Sequence, residues 1–308
     1  MAEIHTSFQS INKGIDWTLL PARLYEKGKR LGTWNPHEID YSQDVKDWNA
    51  ITEAERNAML QLVSLFGAGE EAVTLDLLPL VKTMAEEGRL EEEMYLTDFL
   101  FEESKHTEAF RRFLDAIGCH EDLSQYHTPS YKKIFYEELP GAMHRLLTDP
   151  SPAAQAEASV TYNMIVEGVL AETGYYGFRK ALEPRGLAPG FRRTIQLIAT
   201  DESRHIAYGV YLLSRLVAVD DSIFQVIQNR MSYLMQYAAG VISELTASYG
   251  ENPPFAFDPN DFMQYGIRKF QGRMAVIERA RGKKIEELYR LPAEEYEPEV
   301  AEMEQAAT

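Results

Sequence analysis

Apolar residues recur every three or four positions along most of the chain, which is the spacing of an α-helical face. No segment shows the strict alternation of apolar and polar residues that is typical of a β-strand. The pattern therefore predicts an all-α chain with one main domain over residues 1–290. The remaining residues, 291–308, are acidic and end in small side chains, and we expect this tail to be partly disordered.

Local start and stop signals divide the helical pattern. Thr52 and Glu55 have the spacing of a capping box, and Ser151 followed by Pro152 is a strong helix start. Pro79 should bend or end a helix because proline lacks the backbone donor. With prolines and glycines taken as breaks, the predicted helices cover residues 17–31, 52–79, 90–117, 129–147, 152–182, 189–212, 221–250 and 259–281.

Composition narrows the class of partner. The formal net charge is −17, which argues against nucleic acid or an anionic membrane surface as the main partner. Cys119 is the single cysteine, so no intramolecular disulfide can form, as suits a reducing cytosol. Residues 1–10 lack the apolar core of a signal peptide, and no apolar run is long enough to span a bilayer. We expect a soluble cytoplasmic protein.

Two copies of one short pattern stand on predicted apolar helix faces. The first is Glu103-Ser104-Lys105-His106 and the second is Glu202-Ser203-Arg204-His205. Side chains three residues apart on a helix are neighbours, so each copy can present a carboxylate and an imidazole to one ion. Each copy is preceded by a helix with a single glutamate in its apolar stripe, Glu70 in the first case and Glu167 in the second. Four carboxylates and two imidazoles on four helices form the ligand set of a di-metal bundle.

The ligand types restrict the metal. Mixed carboxylate and imidazole ligands favour iron or manganese, zinc accepts the same groups, and the lack of cysteine ligands excludes an iron–sulfur cluster. Two adjacent redox metals bridged by carboxylates are suited to reaction with dioxygen. Among only seven histidines, two lie three residues after a buried-face glutamate, and this joint pattern favours a metal site over isolated core residues.

At these residues the chain resembles the ferritin-like di-metal carboxylate superfamily, and within it the small subunit of ribonucleotide reductase. The segment 34–40, Trp-Asn-Pro-His-Glu-Ile-Asp, is similar to that family's N-terminal tryptophan motif, and residues 47–55 resemble its lead into the first ligand helix. The resemblance covers residues 20–280. It implies a ferritin-like four-helix bundle core with additional helices and a homodimer.

The resemblance also implies roles for individual residues. Glu70, Glu103 and His106 would hold one metal, and the other would be held by Glu167, Glu202 and His205. Asp201 would accept a hydrogen bond from His106, with Trp34 beside it.

One departure from the reductase pattern redirects the functional prediction. Phe110 occupies the position, four residues after His106, where the standard small subunit has its radical-forming tyrosine, and Glu70 replaces an aspartate. Both features are typical of the small-subunit-like ligand-binding oxidases. These have a manganese–iron site, a bound long-chain fatty acid and a tyrosine–valine ether cross-link made by oxygen activation. By this resemblance Val73 and Tyr162 are the cross-link pair.

The leading prediction is an oxidase with manganese and iron, or two irons, that uses dioxygen to oxidise a C–H bond. Tyr175 and Tyr176 are further candidates to line its site. Both departures also occur in the manganese–iron small subunit of ribonucleotide reductase, which is the second hypothesis. It would need a large-subunit partner and a tail tyrosine, for which Tyr296 is available. An iron-storing or purely structural ferritin-like bundle is a third hypothesis, which the length of the chain fits poorly.

Overall fold

The computed structural model describes residues 7–247, 249, 253–256 and 258–307. These residues form helices and turns without a β-strand, so the all-α prediction is confirmed. The α-helices in chain order are α1 (Gln9–Asn12), α2 (Leu20–Leu31), α3 (Ser42–Ala50), α4 (Glu53–Asp76), α5 (Leu78–Glu86), α6 (Leu90–Ala116), α7 (Pro129–Lys132), α8 (Leu139–Arg145), α9 (Pro152–Ser159), α10 (Glu172–Leu182), α11 (Pro189–Val219), α12 (Ile223–Ala247), α13 (Pro259–Arg279), α14 (Ile285–Tyr289) and α15 (Val300–Ala307).

Two π-helical segments complete the main elements, Lys133–Glu138 between α7 and α8 and Val160–Ala171 between α9 and α10. Shorter 3₁₀ turns lie at Pro36–Glu38, Ser124–Tyr126, Glu183–Arg185, Pro254–Ala256 and Ala293–Glu295. The sequence predicted one uninterrupted helix over 152–182 and did not reveal the π segment within it. A π segment differs from an α-helix in bonding each N–H to the carbonyl five residues earlier, and the local start and stop signals used for the prediction do not report this bonding.

Several helix ends follow the predicted local signals. At the start of α4 the Thr52 hydroxyl accepts from the Glu55 N–H, and the Glu55 carboxylate accepts from the Thr52 N–H. Helix α4 ends just before Pro79, which takes up a first-turn position of α5. Gly118 follows α6 with a φ of 73°, a conformation that glycine adopts without strain. Gly250, the predicted end of the helix that begins near residue 221, lies outside the described residues.

Four segments surround the centre of the molecule: α4, α6, the π segment Val160–Ala171 with its flanking helices, and α11. Long apolar side chains fill the space between them, since removing this surface from water is the main driving force for their association. Fully buried members of this core include Leu96, Phe99, Phe110, Met164, Ile165, Ile198 and Ile206. Among the described helices, none is both long enough and apolar enough to cross a bilayer.

A buried carboxylate holds the start of α11. The Asp44 side chain accepts hydrogen bonds from the backbone N–H groups of Gly190 at 2.9 Å and Phe191 at 2.7 Å. These are among the first N–H groups of the helix, which have no intrahelical partner. Asp44 lies on α3, far away in sequence, so it anchors the N-terminal segment to the helix that carries Glu202 and His205.

Replacing Asp44 by alanine should destabilise the protein by about 2–4 kcal/mol, because two buried N–H groups would lose their acceptor. Urea unfolding of the metal-free protein measures the change. The exposed Glu38, in the same N-terminal region, provides the control, and its alanine variant should unfold as the wild type does. Equal stability of the Asp44 and Glu38 variants would contradict this role.

The C-terminal segment, residues 291–307, is packed against the rest of the protein, in contrast to the predicted disorder. Tyr296 and Val300 are buried, and α15 packs along α11. The acidic composition misled the prediction because these carboxylates have cationic partners elsewhere in the chain. Lys27 lies 3.0 Å from Glu304, and the other pairs are Lys27–Glu294, Lys269–Glu299 and Arg273–Glu297. The last residue of the predicted tail, Thr308, lies outside the described residues.

Candidate metal centre

The six residues predicted as metal ligands converge in one cluster between the four central segments. All six are at most 5% exposed. Helix α4 provides one glutamate, the π segment provides another, and α6 and α11 each provide a glutamate and a histidine. The groups form two sets whose ligand atoms lie within 4.8 Å of one another: Glu70, Glu103, His106 and Glu202 in the first, and Glu103, Glu167, Glu202 and His205 in the second.

The first set is arranged around Nδ1 of His106. This atom lies 3.4 Å from Oε2 of Glu70, 3.6 Å from Oε2 of Glu103 and 3.5 Å from Oε1 of Glu202. The three carboxylates come from α4, α6 and α11, so the set exists only when these helices pack together. Local spacing alone accounts for the Glu103–His106 pair.

The second set repeats this arrangement around Nδ1 of His205. Its distances are 3.3 Å to Oε1 of Glu103, 3.7 Å to Oε1 of Glu167 and 3.6 Å to Oε2 of Glu202. Glu103 and Glu202 thus belong to both sets, and each directs one oxygen to each side. Two carboxylates shared in this way can bridge two adjacent cations.

The cluster fits bound cations by its hydrogen bonding as well as its geometry. Buried polar atoms in proteins are normally hydrogen-bonded, because desolvation without a partner is costly. Five atoms directed into this cluster have no hydrogen-bond partner: Oε2 of Glu103, Nδ1 of His106, Oε1 of Glu167, Oε2 of Glu202 and Nδ1 of His205. Metal coordination would satisfy all five.

A buried carboxylate orients each imidazole from the other side. Nε2 of His106 lies 3.1 Å from Oδ2 of Asp201, as predicted, and Nε2 of His205 lies 2.8 Å from Oε2 of Glu102. Such contacts leave Nδ1 of each ring free to face a metal. The sequence analysis missed Glu102. It directly precedes Glu103, just as Asp201 precedes Glu202, so the repeat itself carried the signal.

Asp201 is held ionised by its surroundings. Nζ of Lys105 lies 2.9 Å from Oδ2 of Asp201, and Nη2 of Arg204 lies 2.6 Å from Oδ1. Burial opposes ionisation, but the charges of Arg204 and Lys105 and the hydrogen bond from His106 outweigh it and lower the pKa of Asp201. Nε1 of Trp34 also donates to Oδ2 at 2.8 Å, in agreement with the predicted contact.

The Tyr162 hydroxyl lies at the edge of the cluster. It is 3.2 Å from Oε1 of Glu103 and 3.2 Å from the carbonyl oxygen of Val73. Both Tyr162 and Val73 are buried, although they come from different segments. The structure therefore brings the tyrosine oxygen close to the valine and to a shared carboxylate.

The two other tyrosines that were candidates to line the site differ in their distance from the cluster. The Tyr175 hydroxyl is 3.5 Å from Oε1 of Glu70, whereas the Tyr176 hydroxyl donates to Asp261 away from the cluster. Phe110 is buried and packs against Phe66 with ring centroids 5.7 Å apart. A phenyl ring has no ionisable hydroxyl, so this position cannot store a tyrosyl radical.

Comparisons with known proteins agree with this geometry. The family model "Ribonucleotide reductase, small chain" matches residues 23–265. A solved structure of an R2-like ligand-binding oxidase with aerobically reconstituted Mn/Fe cofactor is 42% identical, covering 89% of this chain and 98% of that one, with a TM-score of 0.86. A tyrosine-to-phenylalanine variant of such an oxidase is 41% identical, with the same coverage and TM-score. The chain belongs to the ribonucleotide reductase small-chain family, as an R2-like ligand-binding oxidase.

An apolar cavity of about 80 Å³ adjoins the cluster. Carboxylates of the cluster line one part of it, and most of the remainder is hydrocarbon side chains, including Phe66, Phe135, Val166, Leu170 and Ala171. The volume holds only a short part of an apolar chain, since pockets for whole ligands measure about 300–1,000 Å³. A longer chain would have to extend beyond this volume.

Metal uptake by the cluster should weaken as pH falls. Burial raises the pKa of Glu70 to about 8, and burial together with the charge of Glu202 raises the pKa of Glu167 well above its usual value. Without metal, Glu70 therefore holds its proton at neutral pH, and the raised pKa of Glu167 acts in the same direction, so an incoming cation must displace protons. Below about pH 8 we expect affinity to fall about tenfold per pH unit for each proton displaced.

Competition against a chelator across this pH range measures the affinity, and proton release into a weakly buffered solution counts the protons. Affinity independent of pH, after correction for the chelator, would show that the carboxylates are already ionised in the metal-free protein.

Proposed function

We propose that this protein is an oxygen-activating oxidase in which a manganese–iron pair oxidises a C–H bond of an apolar ligand. The observation that carries the proposal is the pair of ligand sets that share Glu103 and Glu202 beside an apolar cavity. The related oxidases with a Mn/Fe cofactor support the choice of metals. Carboxylate and imidazole ligands suit a di-iron pair as well.

In this proposal one metal would be held by Glu70, Glu103, His106 and Glu202, and the other by Glu103, Glu167, Glu202 and His205. Bound divalent manganese and iron would supply two electrons to dioxygen, and a substrate bond would supply the other two needed to form water. The protein orients both imidazoles through Asp201 and Glu102. The hydrocarbon cavity walls exclude water, which would otherwise compete for the oxidant.

We further propose an ether cross-link between the Tyr162 oxygen and a side-chain carbon of Val73. The bond would form as one O–H and one C–H bond break. The two protons and two electrons released, together with two electrons from the divalent metals and two protons from solvent, would reduce dioxygen to two water molecules. The distance of 3.2 Å from the Tyr162 hydroxyl to the Val73 carbonyl oxygen supports this pair, because it places the tyrosine oxygen beside that residue. The Tyr162 hydroxyl is equally close to Glu103, so the phenol lies beside a carboxylate that both ligand sets share.

The ligand proposed for the cavity is a long-chain fatty acid or a similar amphipathic molecule. Its carboxylate would face the metals and its chain would lie among residues such as Phe66 and Leu170. We also propose a cytoplasmic homodimer. Leu75 and Leu78, which are 60% and 48% exposed at the junction of α4 and α5, supply apolar surface for a contact between copies.

A reductase small subunit with a metal-based oxidant is the alternative, and the position of Tyr296 disfavours it. A radical-transfer tyrosine in the tail must reach a large-subunit partner. Here the Tyr296 side chain is 1% exposed and its hydroxyl donates to the Leu288 carbonyl at 2.7 Å. The storage hypothesis predicts uptake of many ions, whereas the two sets at this centre suit two.

Metal loading and ligand extraction test the proposal together. The wild-type protein should bind two divalent ions, consume dioxygen when loaded with manganese and iron, and release a long-chain acid on solvent extraction. Ala171→Phe places a larger side chain in the cavity, so we expect it to bind two ions but retain at least about tenfold less ligand. Ala153→Phe, outside the cavity, controls for the added bulk. Absence of oxygen consumption by the loaded wild type would refute the oxidase.

A further inference from the structure

The buried arginine of α13, Arg273, contacts the segment that carries Glu167. Its Nη1 donates to the Gly168 carbonyl, and its Nη2 and Nε donate to Glu172 at 2.6 Å and Glu297 at 2.7 Å. Arg273 is 4% exposed, and Glu297 is 3% exposed. A guanidinium group thus joins the π segment to the C-terminal segment through contacts shielded from water.

The π geometry leaves the Gly168 carbonyl without its usual backbone donor, so the hydrogen bond must come from another element. In a regular α-helix it would accept from the N–H four residues later, which belongs to Glu172. That N–H instead donates to the carbonyls of Glu167 and Val169 and passes over Gly168. Arg273 therefore supplies a hydrogen bond that α-helical geometry would have supplied from the backbone. The π register at this turn frees the carbonyl that Arg273 binds, and the Arg273 hydrogen bond in turn stabilises that register.

The residue type at position 168 agrees with this reading. A Cβ atom at Gly168 would lie 2.8 Å from Nη1 of Arg273 and 2.9 Å from the carbonyl oxygen of Asn163. Only glycine allows the guanidinium to approach the backbone so closely. The neighbouring Glu167 has a hydrogen bond of its own, since Nδ2 of Asn163 donates to its Oε2 at 2.9 Å.

We propose that Arg273, held by Glu297 of the C-terminal segment, is a positioning residue that keeps the π register and thereby directs Glu167 into the second ligand set. The inference rests on the proposed function of Glu167 as a metal ligand. If the contact is lost, the turn can return to α-helical register, and the Glu167 carboxylate is displaced. The C-terminal segment then contributes to the metal centre through Arg273, although none of its described residues belongs to either ligand set.

Three variants test the contact from different sides. Arg273→Lys keeps the charge but cannot reach all three acceptors, because a single ammonium lacks the planar fork. Gly168→Ala places a methyl group against Nη1, and Glu297→Gln weakens the hold from the C-terminal segment. Arg215→Lys is the matched control, since Arg215 is also buried and paired, with Glu92, away from the cluster.

Amide hydrogen exchange of the metal-free proteins reports on the register. We expect faster exchange within residues 160–173 in the Arg273, Gly168 and Glu297 variants, with Arg215→Lys unchanged there. Metal titration, with anomalous scattering to locate each ion, reports on the ligand set. The ion beside Glu167 should bind about 10- to 100-fold more weakly in the three variants, and the ion beside Glu70 should bind nearly as in the wild type.

The proposal is overturned if amide exchange within residues 160–173 stays at the wild-type rate in the Arg273 and Gly168 variants. It is also overturned if the affinities for the two ions fall equally. If Gly168→Ala fails to fold, the Arg273→Lys and Glu297→Gln variants decide the question. Failure of the wild type to bind two ions refutes the proposed function instead, and the exchange data for the metal-free proteins then decide whether Arg273 maintains the register.

Discussion

Replacing Glu202 by glutamine should weaken the binding of both metal ions by at least about 100-fold. Glu202 belongs to both ligand sets, with Oε1 directed to the set of His106 and Oε2 to the set of His205. The substitution preserves size but removes the negative charge that both cations share. Elemental analysis of the protein after metal loading and desalting, together with calorimetric titration, measures the loss.

Two further variants make the result specific. Glu70 belongs only to the first set, so Glu70→Gln should weaken one ion much more than the other. Glu108 is exposed on the same helix as Glu103 and pairs with Arg112, so Glu108→Gln should bind both ions as the wild type does. Retention of two tightly bound ions by the Glu202 variant would mean that this carboxylate does not bridge the centre.

Aerobic loading of the wild-type protein with manganese and iron should lower its intact mass by two hydrogen atoms, as formation of the ether bond requires. Proteolysis should then yield one linked species containing Val73 and Tyr162, which are 89 residues apart in the chain. Tyr162→Phe removes the oxygen that forms the bond, so this variant should show neither the mass loss nor the linked peptide. Intact-protein and peptide mass spectrometry provide both readouts.

Anaerobic loading is the first control, because without dioxygen no acceptor for the two electrons is present. Tyr208→Phe is the second, since this buried hydroxyl bonds Glu92 and lies outside both ligand sets, and the variant should still form the cross-link. An unchanged wild-type mass after aerobic loading with two bound metals would remove the cross-link from the proposed function while leaving the metal centre intact.

The fold was largely predictable from local signals because they act within one or two helical turns. The capping box at Thr52 and the glycine after α6 lie where the sequence places them. The π segment and the packed C-terminal segment were not predictable in this way. Gly168 accepts from Arg273, and Glu297 pairs with the same arginine, so both features depend on contacts between distant parts of the chain.

The parts of the site that depend on neighbouring residues of one helix were also predictable, whereas the contacts between helices were not. A glutamate and a histidine three residues apart share a helix face whatever surrounds the helix, so both Glu-x-x-His copies were visible. Glu102 was missed although it mirrors Asp201 in the repeat, because its function becomes clear only when α6 and α11 are adjacent. Each of these two carboxylates contacts the histidine of the other helix.

Local patterns in the sequence predicted the helical class, the chemical types of the six clustered side chains and their arrangement as two similar halves. Packing of the helices sets which oxygens are shared, which carboxylate supports which imidazole, and where hydrocarbon adjoins the cluster. The difference arises because these contacts join residues that are far apart in the chain. Helical periodicity orients side chains relative to their own helix, whereas a centre shared by four segments is defined only after packing sets the separation and rotation of those helices.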